Sequence, residues 1–423
     1  MKFKKLAALA VAGALGVGVC AAGCAKKQYE YDYSHFYGLC EVSGEISSDV
    51  DRGLTHDFIS GMAGAFGVNS FRVWMSMDSV LKVGEGDTLT FNAQAVEQYH
   101  DLLDKLSEQG VDRFSLMCAG FIYPWEYRTT TGLSVPDPNE EYEIYVRFLE
   151  LQGRAFAMVA EEFPAIRYFE PANEPNIESG AFLHKNGYTA GGTMQSNADY
   201  MYTESELAHI IGDLCWYINR GVQGVDKDSR VLLPSLCNYA TAPDFLDAVY
   251  KAIESKTLPV AQEYSDTDPD NYFQILNWHP YSLVTGEIDS DWVALQKEIY
   301  AVAEAHNDGG KPVWYTEMGW TDYRNENNMQ TIADRYIKLF DTVRGELPFV
   351  ETVFIFRLST LAVQQTSEAE DNFGIVFNPL DEQFPGMPKP AAIAIYRYMH
   401  GQDADITPLY KFAAEKENTT KFG

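Results

Sequence analysis

The sequence predicts an α/β fold: a (β/α)8 or TIM barrel in a single domain with long βα loops. Three observations predict it. Short apolar strands alternate with amphipathic helices from residue 36 to residue 400, eight times over. Segments such as VLLPSL (231–236) and TVFIF (352–356) are nearly unbroken apolar runs, as strands buried on both faces of a parallel sheet require. No GxGxxG follows the first strand, which argues against a dinucleotide-binding, doubly wound sheet.

The first strand is expected over 36–42 and its helix over 52–66. The second pair falls at 70–74 and 93–109, and the third at 113–119 and 140–162. The fourth strand, 167–170, runs into the turn of YFEPANEPN (168–176), with its helix at 204–219. The second half repeats the pattern at 230–236 and 243–254, 273–278 and 292–306, 312–316 and 329–344, and 352–356 and 391–399. Helices carry apolar residues three and four apart, as in Leu102, Leu103 and Leu106, which gives the buried stripe a helix on a sheet needs. Roughly 370 residues for eight units exceeds the ~250 typical of the fold and leaves the difference to loops. No Pro/Gly/Ser-rich linker or short repeat divides the stretch.

Before the barrel the chain carries the marks of export. Lys2, Lys4 and Lys5 precede a small-residue apolar run over 6–19, and Ala21-Ala22-Gly23-Cys24 follows as a cleavage site. The run is too short and too rich in Ala and Gly for a membrane-spanning helix. The ending resembles a bacterial lipobox, which implies cleavage before Cys24, lipidation of its thiol and a membrane link through that anchor alone. A plain secretory signal is the other reading; both put the protein outside the cytoplasm. The expected organisation is a signal peptide at 1–23, a tether at 24–35, the barrel at 36–400 and a C-terminal tail at 401–423.

Loss of residues 1–23 removes three lysines and no acid, and takes the formal charge from −29 to −32. Such a charge argues against nucleic acid and anionic lipid as partners and disfavours a polyanionic substrate. Cys40, Cys118, Cys215 and Cys237 show no CxxC spacing and no accompanying histidine cluster, so neither a metal site nor a cofactor is expected. Buried free thiols are the expected state, although export permits disulfides.

In a (β/α)8 barrel the functional side chains come from the C-terminal ends of the strands. Those ends supply Arg72 and Trp74 on strand two, Asn173 and Glu174 on strand four, His279 and Tyr281 on strand six, and Glu317 on strand seven. Two acids at one rim suit glycoside hydrolysis: one protonates the leaving oxygen while the other stabilises or traps the cationic sugar carbon. Enzymes that retain configuration hold the two carboxyl groups about 5–5.5 Å apart, and inverting ones about 6.5–9.5 Å. Strands four and seven face each other across a small barrel, which favours the shorter separation. Arg72 and Tyr281 are suited to keep Glu317 ionised. Trp125 and Trp320, on the loops after strands three and seven, are candidates for stacking on sugar rings or for loop packing.

FRVW (71–74), FEPANEPN (169–176), NWHPYS (277–282) and WYTEMGW (314–320) together resemble the clan A glycoside hydrolases, the retaining barrel enzymes that include families 5 and 39. The closing segment at 373–399 resembles theirs too. The resemblance implies Glu174 as acid/base, Glu317 as nucleophile and Asn173 as the group that binds the sugar 2-hydroxyl. It implies a carbohydrate substrate, with Arg72, His279, Tyr281, Trp125 and Trp320 as further substrate-binding candidates. Two departures stand out. Ala172 occupies the place where Trp usually precedes the Asn-Glu pair, and Phe356-Arg357 stands where strand eight commonly offers an aromatic platform. Arg357 would there favour an acidic or heavily hydroxylated sugar. The alternatives are a glycan-binding lipoprotein without turnover and a transglycosylase using the same two glutamates.

Overall fold

The computed structural model describes residues 33–41, 53–177, 182–189, 192–237, 241–255, 266–281, 286–364 and 366–414. The signal segment at 1–23, Cys24 and most of the tether lie outside the described residues, as does 415–423.

The sheet is wholly parallel and curls into a barrel. Its strands are β1 Tyr37–Glu41, β2 Ser70–Ser76, β3 Arg113–Gly120, β4 Ile166–Glu170, β6 Leu276–His279, β7 Val313–Met318 and β8 Val350–Phe356, with β5 in two pieces, Arg230–Val231 and Leu236–Cys237. Neighbours follow chain order, with β1 beside β8. The ring closes through β5. Its first piece pairs with β4 and its second with β6. Between them, Leu233 N–H donates to the Ile275 carbonyl and Gln274 N–H to that of Val231, both at 2.9 Å. The single strand expected over 230–236 is thus interrupted, at Pro234, which has no N–H to give a ladder.

The helices are α1 His56–Phe66, α2 Ala93–Glu108, α3 Tyr142–Glu162, α4 Glu204–Val225, α5 Ala242–Glu254, α6 Ser290–Ala305, α7 Glu326–Glu346 and α8 Pro390–His400. Local chemistry sets their starts. Thr55 caps α1, Asp289 caps α6, and Thr203 with Glu206 forms a capping box on α4. Helix α4 runs on to Val225 through Gly221 and Gly224, beyond the expected end at Asn219. Gly221 is there because α4 crosses α3 closely: a Cβ at this position would sit 2.1 Å from the Gly153 carbonyl oxygen.

One pair of strands is absent from the sequence reading. Leu81–Gly84 and Thr88–Phe91 form an antiparallel hairpin in the loop after β2. Gly86 and Asp87 turn it with φ of 69° and 57°. Asp87 also pins the hairpin: its Oδ1 accepts from Trp125 N–H at 2.7 Å and its Oδ2 from Arg147 at 2.7 Å.

One apolar core fills the space between sheet and helices. A second cluster, with Cys40, Leu232, Ile275, Trp314, Phe354 and Phe356, fills the barrel lumen. Arg113 lies across the rings of Tyr168 and Trp314 at 5.5 and 5.2 Å there. Trp278 and Trp314 are fully buried, with their indole N–H groups given to Gln296 and Glu351. Cys40, Cys118, Cys215 and Cys237 are free and buried. The stretch expected as a tail packs back, with Phe412 edge-to-face on Phe58 of α1 at 5.3 Å. Among the described residues no helix is long and apolar enough to cross a membrane.

Candidate active site

The mouth at the C-terminal strand ends gathers the polar residues. β4 ends at Glu170, and the chain then turns so that Asn173 bridges to Ser235. Glu174 adopts φ 38°, a left-handed conformation uncommon outside glycine and often found where function holds a residue in place. Its side chain is turned to the barrel axis, where it meets His279.

Glu317 reaches the same axis by another device. Strict alternation would put Thr316 and Glu317 on opposite faces of β7. The register of β7 against β8 slips between Tyr315 and Met318, a bulge that lets both side chains face inward. The expected strand end at Thr316 is therefore exceeded, and Glu317 lies within the strand.

Arg72 is the hub. It is fully buried, and its Nε donates to Glu170 Oε2 at 2.9 Å, Nη1 to Glu317 Oε1 at 2.5 Å and Nη2 to Asn173 Oδ1 at 3.1 Å. Burial alone would lower its pKa, but the Glu170 and Glu317 carboxylates outweigh that and raise it. The other oxygen of Glu317 accepts from the Tyr281 hydroxyl at 2.9 Å. Burial and the nearby Glu317 and Glu174 push the Tyr281 pKa far up, so this hydroxyl keeps its proton.

Glu174 has a different setting. Its Oε1 lies 2.8 Å from His279 Nδ1, and His279 Nε2 lies 3.0 Å from Thr316 Oγ1. Burial pushes His279 down to about 4, against the opposing pull of Glu317, so the imidazole is neutral at ordinary pH. Burial pushes the Glu174 carboxyl above the usual range; a hydrogen bond from the Cys237 thiol and the charge of Arg72 oppose this only in part.

A carboxylate oxygen of Glu174, one of Glu317 and a ring nitrogen of His279 all lie within 4.8 Å of one another. That spacing would suit a divalent cation, but the chain already provides a resident cation at Glu317, the Arg72 guanidinium.

The structure thus brings Glu174, Glu317, Asn173, Arg72, His279 and Tyr281 to one place. Arg72 and His279 are fully buried, so the substrate contact expected of them is replaced by contact with the acids themselves. Trp320 does not join them. It is 8 % exposed, edge-to-face on Tyr336 at 5.0 Å, with its N–H given to the Gly286 carbonyl. Its ring packs the loop, so no face is open to a sugar. Trp125 stands apart on the rim, 42 % exposed. Arg357 is buried and ion-paired with Glu41, which removes the expected source of preference for an acidic sugar.

Glu170, Ser235 and Cys237 escaped the sequence reading, and Trp74, placed there at the end of strand two, was given no part. Glu170, within the fourth-strand motif, shares Arg72 with Glu317. Trp74 is inward two residues past Arg72, whose guanidinium lies 5.7 Å from its ring, and its buried N–H has no partner. Ser235 gives its hydroxyl to Asn173 Oδ1 at 3.2 Å and its N–H to Glu170 Oε1 at 3.2 Å. The strand alternation was a sufficient signal for Trp74; none pointed to Ser235 or Cys237 beyond Pro234.

The fold is like that of the solved clan A barrel glycosidases. The chain is similar to a GH39 β-xylosidase from Caulobacter crescentus (TM-score 0.52, 16 % identity, 89 % of this chain and 73 % of that one). It is similar as well to a GH5-4 broad specificity endoglucanase from Clostridium acetobutylicum (TM-score 0.54, 14 % identity, 86 % and 97 %). A family 1 β-glucosidase from Thermotoga maritima aligns over 88 % of this chain and 98 % of its own (TM-score 0.52, 13 % identity). No family model and no curated protein matches the sequence. At these identities the likeness defines the fold.

Proposed function

We propose that the chain is a retaining β-glycoside hydrolase acting on oligo- or polysaccharide, with Glu174 as acid/base and Glu317 as nucleophile. One observation carries the reading: carboxylate oxygens of the two residues lie within 4.8 Å of each other at one barrel mouth. That spacing accords with the about 5–5.5 Å of retaining enzymes, in which a carboxylate attacks directly, and falls short of the about 6.5–9.5 Å of inverting ones.

In this mechanism Glu317 attacks the anomeric carbon while Glu174 gives its proton to the departing glycosidic oxygen. A glycosyl ester on Glu317 results. Glu174, now ionised, takes a proton from a water that attacks the same carbon and frees Glu317. Each carboxylate has the setting its part needs. Glu317 has both oxygens held by donors, Arg72 and Tyr281, which fix its aim. Glu174 is buried beside a neutral imidazole, which supports a proton held at rest. Asn173, with Oδ1 fixed by Arg72 and Ser235, is positioned for the sugar 2-hydroxyl. We also propose that the enzyme works outside the cytoplasm, held at the membrane by a lipid on Cys24; labelling with palmitate, lost in Cys24→Ser, tests that part.

The test is a panel of aryl β-glycosides and neutral β-linked polysaccharides. Glu317→Gln is expected to abolish turnover. Glu174→Ala is expected to lose about 10²–10⁴-fold on substrates with poor leaving groups, with azide restoring the rate on activated ones. Unchanged rates in Glu174→Ala on natural linkages would sink the assignment. Binding without any released sugar would favour the binding protein, and longer products at high substrate concentration the transglycosylase.

A further inference from the structure

We infer that the rim groove under Trp125 is a second carbohydrate-binding subsite, and that the substrate is therefore a neutral sugar chain long enough to span from the acid pair to that groove. The inference rests on the hydrolase reading above for what lies at the acid pair, but not for the groove itself.

The groove has a volume of about 400 Å³. It lies between the hairpin after β2 and the loop after β3, so it opens on the same mouth as Glu174 and Glu317. Its size falls within the roughly 300–1,000 Å³ of small-molecule sites. Trp125 is the only tryptophan exposed to this degree among the described residues. An open indole presents an apolar face of the kind the C–H face of a pyranose covers. Around it stand Asp78, Lys82 and Arg128, side chains able to bond sugar hydroxyls, with Tyr123 and Tyr127 below. An apolar partner would leave those charges desolvated, and a polyanion would meet the large negative charge of the chain. A neutral polyhydroxylated ligand satisfies both.

The groove is also held in shape. Asp87 at the hairpin tip takes the Trp125 N–H, and Arg147 and Arg154 fasten the same residue through its carboxylate and its carbonyl. Arg128 Nη1 donates to the Trp125 carbonyl at 2.8 Å and its guanidinium lies 5.9 Å from the indole. A platform fixed before binding loses little freedom on binding. Its inner wall connects to the catalytic strand: Asp78 accepts from Ser76 at 2.5 Å, at the end of β2. Ser76 stands four residues beyond Arg72, about 13 Å along an extended strand. On this inference a sugar chain running outward from the acids over β3 enters the groove, and the shortest substrates do not reach it.

The experiment measures kcat/KM for wild type, Trp125→Ala and Trp125→Phe on β-1,4-linked gluco-, manno- and xylo-oligosaccharides of increasing length. In parallel, Glu317→Gln, with and without Trp125→Ala, is run in affinity gels containing hydroxyethyl cellulose, galactomannan or xylan. The expected result is a loss in Trp125→Ala that grows with chain length to about 2–10-fold, the value of one aromatic contact, with Trp125→Phe in between. Retardation by one polysaccharide should weaken by a similar factor in the double variant. A loss equal at every length, or none at any, overturns the subsite. If wild type releases no sugar while Trp125→Ala still abolishes retardation, the groove stands and the hydrolase reading falls.

Discussion

At the scale of single residues, the site gives two carboxyl groups different surroundings a few ångströms apart. Arg72 and Tyr281 act on Glu317, while burial acts on Glu174. Cys237 works against the second effect, since its thiol hydrogen bond favours the Glu174 carboxylate. Burial and the adjacent Glu174 push the thiol pKa far up, so it stays a donor. On the proposed mechanism, activity requires protonated Glu174 and falls as pH rises through its pKa. Cys237→Ala should therefore move the alkaline limb of kcat/KM to higher pH, and Cys237→Ser, which restores a donor, should move it back. A limb that stays put in both variants would show that the thiol has no influence on the acid. The acids, the amide, Arg72, His279 and Tyr281 were legible because each sits in a short motif at a strand end. Glu170 and Trp74 were within the same motifs, but nothing in a motif says which of several polar residues a buried guanidinium will bind. The two tryptophans after strands three and seven look alike in sequence. Only the helix packed behind Trp320 distinguishes them.

At the scale of elements, the strand–helix alternation was readable because strands buried on both faces leave apolar runs, and helices leave a stripe. The misses have local causes. Pro234 interrupts β5 without ending it, the bulge in β7 re-aims Glu317 with no change in residue type, and the hairpin at 81–91 hides in a loop. The contact of α3 with α4 allows two predictions. Gly221→Ala puts a methyl against the backbone of Gly153, and helix separation should cost about 1–3 kcal/mol, read as a lower Tm by circular dichroism. Asp213 on α4 is raised to about 7 by burial, which outweighs the hydrogen bond it accepts from the Tyr145 hydroxyl at 2.7 Å. The folded chain thus holds a proton that the unfolded one releases near 3.9, so stability is lost as pH rises from about 4 through 7. The term is worth up to about 4 kcal/mol. Asp213→Asn should flatten that decline in Tm; an unchanged slope would place its origin elsewhere.

At the scale of the whole molecule, the chain carries a formal charge of −29. Acidic polysaccharides should therefore be poor ligands at low salt and better ones at 0.2 M, as screening shortens the reach of the field. Rates on neutral chains should barely change over the same range, and an initial-rate series with a neutral and a uronate polymer compares the two. The seam through β5 has an outcome of its own. Glu317 sits at the bulge near the end of a continuous strand, whereas Glu174 leans on the one stave of the barrel that is split into two pieces. Amide protons of Val313 to Tyr315, the paired stretch of β7, should exchange with deuterium only on global opening, and those of 230–237 through smaller, local fluctuations. The barrel then has one stiffer wall and one compliant wall, and on the proposed mechanism the compliant one carries the group that must give up a proton and take it back in every cycle.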